Sequence, residues 1–134
     1  MPAKKENKRN QRRWKRFTVA NGALVIVSRP SFLKLGKPVQ VKLGPIKDIG
    51  MKGLAVQYVE SKKNLDGIKT LSIMVPGKGM VVEDISFKTV ADFEVAQLPN
   101  NKSIRTLCVS FDKLLPMQKI KLERFLDACE ASED

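Results

Sequence analysis

Two arginines four positions apart, Arg12 and Arg16, precede a second short pattern, Asp48-Ile49-Gly50-Met51-Lys52-Gly53, with 31 residues between Arg16 and Asp48. These residue types suit a guanine-bearing phosphate ligand. Arg carries a planar fork of donors that grips a phosphate, or the O6/N7 edge of guanine, through two parallel hydrogen bonds. Its flat face also stacks on a base. An ionised Asp only accepts, which matches the N1 and N2 donors on guanine's other edge, and Gly lets backbone approach a ligand closely or turn with positive φ. Around this set, Arg13 is placed to assist at a phosphate and Lys52 to add charge near one. Trp14, inside the arginine pattern, either stacks on guanine or pins the chain to the domain, and pinning is the favoured reading.

The arrangement resembles the PilZ domain family, bacterial receptors for cyclic di-GMP, whose signature is RxxxR followed a few tens of residues later by DxSxxG. Arg12 and Arg16 fill the first motif, and Asp48 and Gly53 the second. Arg9 and Arg13 also spell RxxxR; Arg12 and Arg16 are preferred because Phe17 then begins the barrel directly after the motif. The strand-like Leu54 to Val59, the segments around Leu71 to Val75 and Met80 to Phe87, the run Leu107 to Phe111 and the closing Leu122 to Leu126 fall where the family places its barrel strands and terminal helix. The resemblance therefore covers about residues 12 to 128.

It implies a mainly β fold: a six- or seven-stranded antiparallel PilZ-like β-barrel with a C-terminal α-helix. The implied ligand-binding residues are Arg12, Arg13, Arg16, Asp48, Gly50 and Gly53, with Trp14 and Lys52 as auxiliaries. The implied function is that of a non-enzymatic cyclic di-GMP effector, which orders its N-terminal arm on binding and signals to an unidentified downstream protein. Motility, exopolysaccharide production and virulence are the processes such a receptor regulates. One position departs from the family pattern, since Gly50 stands where the family has Ser. The lost hydroxyl contact is worth about 0.5–1.5 kcal/mol, roughly threefold to tenfold in affinity. That departure sustains an alternative, a ligand-independent PilZ-like adaptor acting through protein contacts. Another alternative is a basic barrel that binds single-stranded nucleic acid by charge and stacking. The chain's single Trp, single Tyr and six Phe argue against it.

The elements that must position these residues read as strands. Val39, Val41 and Leu43, then Leu71, Ile73 and Val75, then Leu107, Val109 and Phe111 alternate with intervening side chains, so each run turns one side to a core. Turn residues separate the runs at Asn64 to Gly67, Pro76 to Gly79 and Pro99 to Ser103. Several short strands at this spacing predict a small barrel. A parallel βαβ arrangement needs intervening helices, which the pattern lacks. One helix is expected over about 116–130: Pro116 suits its first position, and Leu122, Phe125, Leu126 and Cys129 form a stripe that packs on the barrel. The insertion Arg29 to Pro38 is expected to cap the barrel, and residues 131–134 to form a frayed acidic tail.

With 134 residues and 43% hydrophobic content the chain reads as one domain, residues 12–130, with a real core. Residues 1–16 hold eight lysines and arginines against Glu6, and so carry +7 of the formal net charge of +11. Residues 1–11 are accordingly expected to be a flexible basic arm that concentrates an anionic ligand. The N-terminus has no apolar signal segment and the apolar runs are far shorter than the roughly 20 residues of a spanning helix, so a cytoplasmic protein, monomeric by default, is expected. Histidine is absent, which removes the usual catalytic base and His-containing metal sites. No phosphate-binding glycine loop of the Walker or dinucleotide type occurs. Glu83, Asp84, Asp92 and Glu94 read as solvated strand or interface charges, and Cys108 and Cys129 as buried structural thiols. No cofactor, metal or enzymatic activity is expected.

Overall fold

The structure, a computed structural model, describes residues 16–19, 21–29, 39–60 and 68–133. The basic arm, Arg12, Arg13, Trp14, nearly all of the 29–38 insertion and the turn expected at 64–67 lie outside the described residues.

Among the described residues seven strands and one helix follow in order: β1 (Phe17–Thr18), β2 (Leu24–Arg29), β3 (Val39–Ile49), β4 (Gly53–Val59), β5 (Thr70–Val75), β6 (Gly79–Gln97), β7 (Ser103–Lys113) and α1 (Pro116–Glu133). All strand pairs are antiparallel. The sheet order β1-β3-β2-β5-β6-β7-β4, with β3 also pairing β4, closes β2 through β7 into a six-stranded barrel and leaves β1 as an extra strand on β3. Closure removes the exposed edges that an open sheet would present. Besides β1, β3 serves two barrel neighbours, pairing β2 up to Pro45 and β4 from Ile46 onward. Gly44 sits at this corner because a Cβ there would collide with the Gln57 carbonyl.

The expected period of two holds inside the barrel. Val25, Val27, Ile49, Leu54, Val56, Leu71, Ile73, Val82, Ile85, Leu107 and Val109 are buried together with Phe17. The helix seals one end with the expected stripe, Leu122, Phe125, Leu126 and Cys129, all buried. Pro116 stands first in the helix. The backbone N–H of Leu115 donates to Gln118 Oε1 at 2.9 Å, and the Lys119 N–H closes on the Leu115 carbonyl at 3.0 Å, so Gln118 satisfies an otherwise orphaned terminal donor. Gln118 Nε2 also donates to the carbonyls of Glu83 and Asp84 at 2.8 and 3.0 Å. These carbonyls lie at an irregularity of β6 where Asp84 has φ +56°. One buried amide thus caps the helix and ties it to the barrel.

Three expectations need correction. The helix runs to Glu133, past the expected tail boundary, because no Gly or Pro interrupts residues 117–133. The strand expected over Met80 to Phe87 extends to Gln97, since β7 continues to pair with it far beyond the last β5 contact, up to Gln97↔Ser103. Two register shifts in that extension, at Val90 and Val95, leave Val90, Phe93 and Val95 exposed. Finally, Cys129 is buried but Cys108 is only half-buried, because Leu107 and Val109 take the core side of β7 and turn Cys108 outward.

Candidate functional site

Of the residues singled out from the sequence, the fold brings Arg16 and Asp48 into contact. Arg16 immediately precedes β1, and Thr18 of β1 lies opposite Asp48 near the end of β3. Phe17, 1% exposed, drops into the core beside Ile49 and thereby fixes where Arg16 begins. Arg16 Nε donates to Asp48 Oδ1 at 2.9 Å, and Nη2 makes an ion pair with the same oxygen at 2.8 Å. The two side chains remain 41% and 33% exposed. Among the described residues Asp48 Oδ2 and Arg16 Nη1 have no partner, so the pair is pre-formed yet keeps an acceptor and a donor for something else.

The second motif makes the turn from β3 to β4. Gly50 is buried, and its N–H donates to the Gly53 carbonyl at 2.9 Å. Lys52 is exposed, while its carbonyl accepts from the Phe111 N–H at 2.7 Å, tying the turn to β7. Gly53 opens β4 opposite Ser110, where a Cβ would collide with the Val109 carbonyl. The close approach at Gly53 is therefore made to β7 of its own barrel.

Register reveals a floor that spacing alone did not. Thr18, Asp48, Ala55, Cys108 and Ala91 are successive cross-strand partners on the outer face, and Gly53, Ser110 and Lys88 form the adjacent row. Directly opposed residues share a face. Short side chains thus form a low shelf, with Arg16 and Asp48 at one side and Lys88 at the other. Lys88 is itself 3.6 Å from Asp112. Gly53 and Ala55 are themselves buried, and Asp48, Ala91, Cys108 and Ser110 are partly exposed, so the open part of the shelf lies at Asp48 and along β6 and β7.

The structure also assembles a polar cluster that the sequence reading missed. Tyr58 continues the inward face of Leu54 and Val56 and lies opposite Arg105. Its hydroxyl donates to Asp92 Oδ2 at 2.8 Å, and Arg105 Nε donates to Asp92 Oδ1 at 2.9 Å. Arg105 Nη2 reaches the Asp92 carbonyl at 3.1 Å. Ser103 Oγ donates to Glu60 at 2.7 Å. Burial, reinforced by the hydrogen bond and charge of Asp92, pushes the Tyr58 hydroxyl up to about 12. The Arg105 guanidinium is held above its ordinary value mainly by the hydrogen bond to Asp92. These groups hold one another and offer no nucleophile and base pair. The signal for them was the period of two, continued past the apolar part of β4 and β7 into polar residues.

Among the described residues no group of three or more Cys, Asp or Glu is placed to hold a metal ion, and no helix is long and apolar enough to cross a membrane.

A closed six-stranded antiparallel barrel with one extra strand and a C-terminal helix defines a PilZ-like domain, and solved structures carry the same fold. The PilZ domain of YcgR from Escherichia coli, with c-di-GMP, matches with a TM-score of 0.59 at 12% identity, over 92% of this chain and 94% of that one. MrkH of K. pneumonia in its apo state matches with a TM-score of 0.61 at 17% identity, over 89% of this chain and 49% of that one. The MrkH–c-di-GMP complex gives 0.55 at 16% identity, over 83% and 48%. The chain thus spans about half the length of the MrkH chains it matches. No protein-family model and no curated protein matches it.

Proposed function

We propose that this protein is a non-enzymatic receptor for cyclic di-GMP. The observation that carries the reading is the Arg16–Asp48 pair, at 2.8–2.9 Å, beside the shelf of small residues on a PilZ-like barrel. Arg16 offers a fork to a phosphate or to guanine O6/N7, and Asp48 an acceptor to the guanine N1 and N2 donors. Arg12 and Arg13 lie four and three positions upstream in the chain and close over the ligand from the arm. Gly53 and Gly50 keep the β3–β4 turn low, Lys52 adds charge at its tip, and Trp14 pins the arm. Ordering of the arm against the barrel presents a changed surface to a downstream protein, in a bacterial cytoplasm, in the control of motility or exopolysaccharide production. Structural neighbours whose names include c-di-GMP, among them YcgR and the MrkH complex, support this ligand.

The test is calorimetric titration of the full chain with cyclic di-GMP at near-physiological salt, with GTP and the Arg16→Ala variant as controls. Micromolar or tighter binding that Arg16→Ala abolishes and GTP does not reproduce supports the receptor. The Gly50→Ser variant, which restores the family hydroxyl, is expected to bind about threefold to tenfold more tightly. Absence of binding by both the parent and Gly50→Ser sinks the receptor reading in favour of the protein adaptor.

A further inference from the structure

A second cationic site lies in the cleft between α1 and the β5–β6 hairpin. The cleft encloses about 340 Å³ and is lined by Lys78, Lys121 and Arg124, with Asn21 at its margin. That volume is within the roughly 300–1,000 Å³ of small-molecule sites. None of its residues belongs to the Arg16–Asp48 site.

The fold sets the three cations on two separate elements. Lys121 and Arg124 are one turn apart on the helix, on the face that also carries Phe125 and Ala128. Lys78 tops the hairpin turn, where Gly77 and Gly79 take φ +85° and +83° and the Lys78 N–H closes on the Val75 carbonyl at 2.9 Å. No ion pair engages any of the three side chains among the described residues. Among the described residues no acidic one lines the cleft. Like charges gathered without a counter-charge repel one another, and a bound anion reverses the sign of that interaction.

Beneath the cations the wall is apolar: Val75, Met80, Val81, Phe125 and Ala128. Phe125 is only 5% exposed, so its ring face is committed to the core and gives a nucleobase nothing to stack on. An alkyl chain needs only aliphatic contact. We propose that this cleft binds an anionic amphiphile, a phosphate or carboxylate head held by Lys78, Lys121 and Arg124 with its alkyl chain against the apolar wall. The ligand is a soluble acyl-type anion or the anionic headgroup and upper chain of a membrane lipid.

The test is an NMR titration of the full chain with decyl phosphate below its micelle concentration, against inorganic phosphate and decanol. Saturable shifts at the Asn21, Val81 and Ala128 amides are expected, with decyl phosphate at least about tenfold tighter than either fragment. Lys121→Glu/Arg124→Glu, and separately Lys78→Glu on the hairpin, are expected to weaken binding about tenfold or more. All three cations are exposed, so these variants retain the parent's amide spectrum elsewhere. Co-sedimentation with phosphatidylglycerol vesicles that the same variants lose assigns the lipid source; decyl phosphate binding without it assigns the soluble one. Decyl phosphate that fails to saturate, or binds parent and variants alike, overturns the proposal.

Discussion

Arg16 reaches across 32 positions of sequence to place both Nε and Nη2 on a single oxygen of Asp48, leaving the other carboxylate oxygen uncommitted. The two groups proposed to read the ligand are therefore each other's partner. The pair is exposed, and exposed ion pairs contribute about 0–1 kcal/mol. Arg16→Ala and Asp48→Ala are each expected to change the stability measured by urea unfolding by less than about 1 kcal/mol while abolishing cyclic di-GMP binding. A large stability loss in either variant would contradict a role confined to the ligand.

Gly53 separates fold from ligand within the second motif. A Cβ there meets the Val109 carbonyl, a backbone atom held in the β4–β7 ladder. Gly53→Ala is expected to cost about 1–3 kcal/mol, read as a lower melting temperature with or without ligand. An unchanged melting temperature would show that the two strands separate readily.

The single tyrosine makes the polar cluster directly measurable. Tyr58 ionises near 12 in the folded protein, against 10.0 for an ordinary tyrosine. A folded-state value above the unfolded one means that this contribution to stability is fully present below pH 10 and is lost as pH rises from 10 to 12. Tyrosinate absorbance is expected to stay low at pH 10, and Asp92→Asn to move the titration downward by removing the adjacent charge. A parent midpoint near 10 would rule out the buried, Asp92-bonded hydroxyl.

Gln118 joins two structural tasks that substitution can split. Gln118→Ala removes the cap at Leu115 and both bonds to β6, with an expected loss of about 1–3 kcal/mol. Gln118→Glu keeps the acceptor for Leu115 but places a carboxylate against the Glu83 and Asp84 carbonyls. Hydrogen exchange is expected to show α1 amides deprotected in both variants, with the Leu115 amide more protected in Gln118→Glu than in Gln118→Ala. Parent-like exchange throughout would mean that the apolar stripe alone docks the helix.

The barrel and its helix were legible in the sequence because alternation and helical spacing are local, and burial of the apolar side follows from them. Phe17, Leu54, Ile73, Val109 and Leu122 all fill the core this way. Arg16 and Asp48 were legible as residue types and spacing, and the turn at Gly50 to Gly53 as composition. The extra length of β6 was not, because Thr89 to Gln97 owes its strand conformation to pairing with β7 and not to its own pattern. Nor was the Asp92–Arg105–Tyr58 cluster, whose members come from three strands and meet only when register sets Tyr58 opposite Arg105. Sequence by itself determined which side chains were available and which faces were apolar. Tertiary structure decided which of them meet: barrel closure fixes the cross-strand register, which places Asp48 beside Ala55 and Gly53 beside Ser110, and docking of the helix on the barrel sets the Lys121 and Arg124 pair across from Lys78.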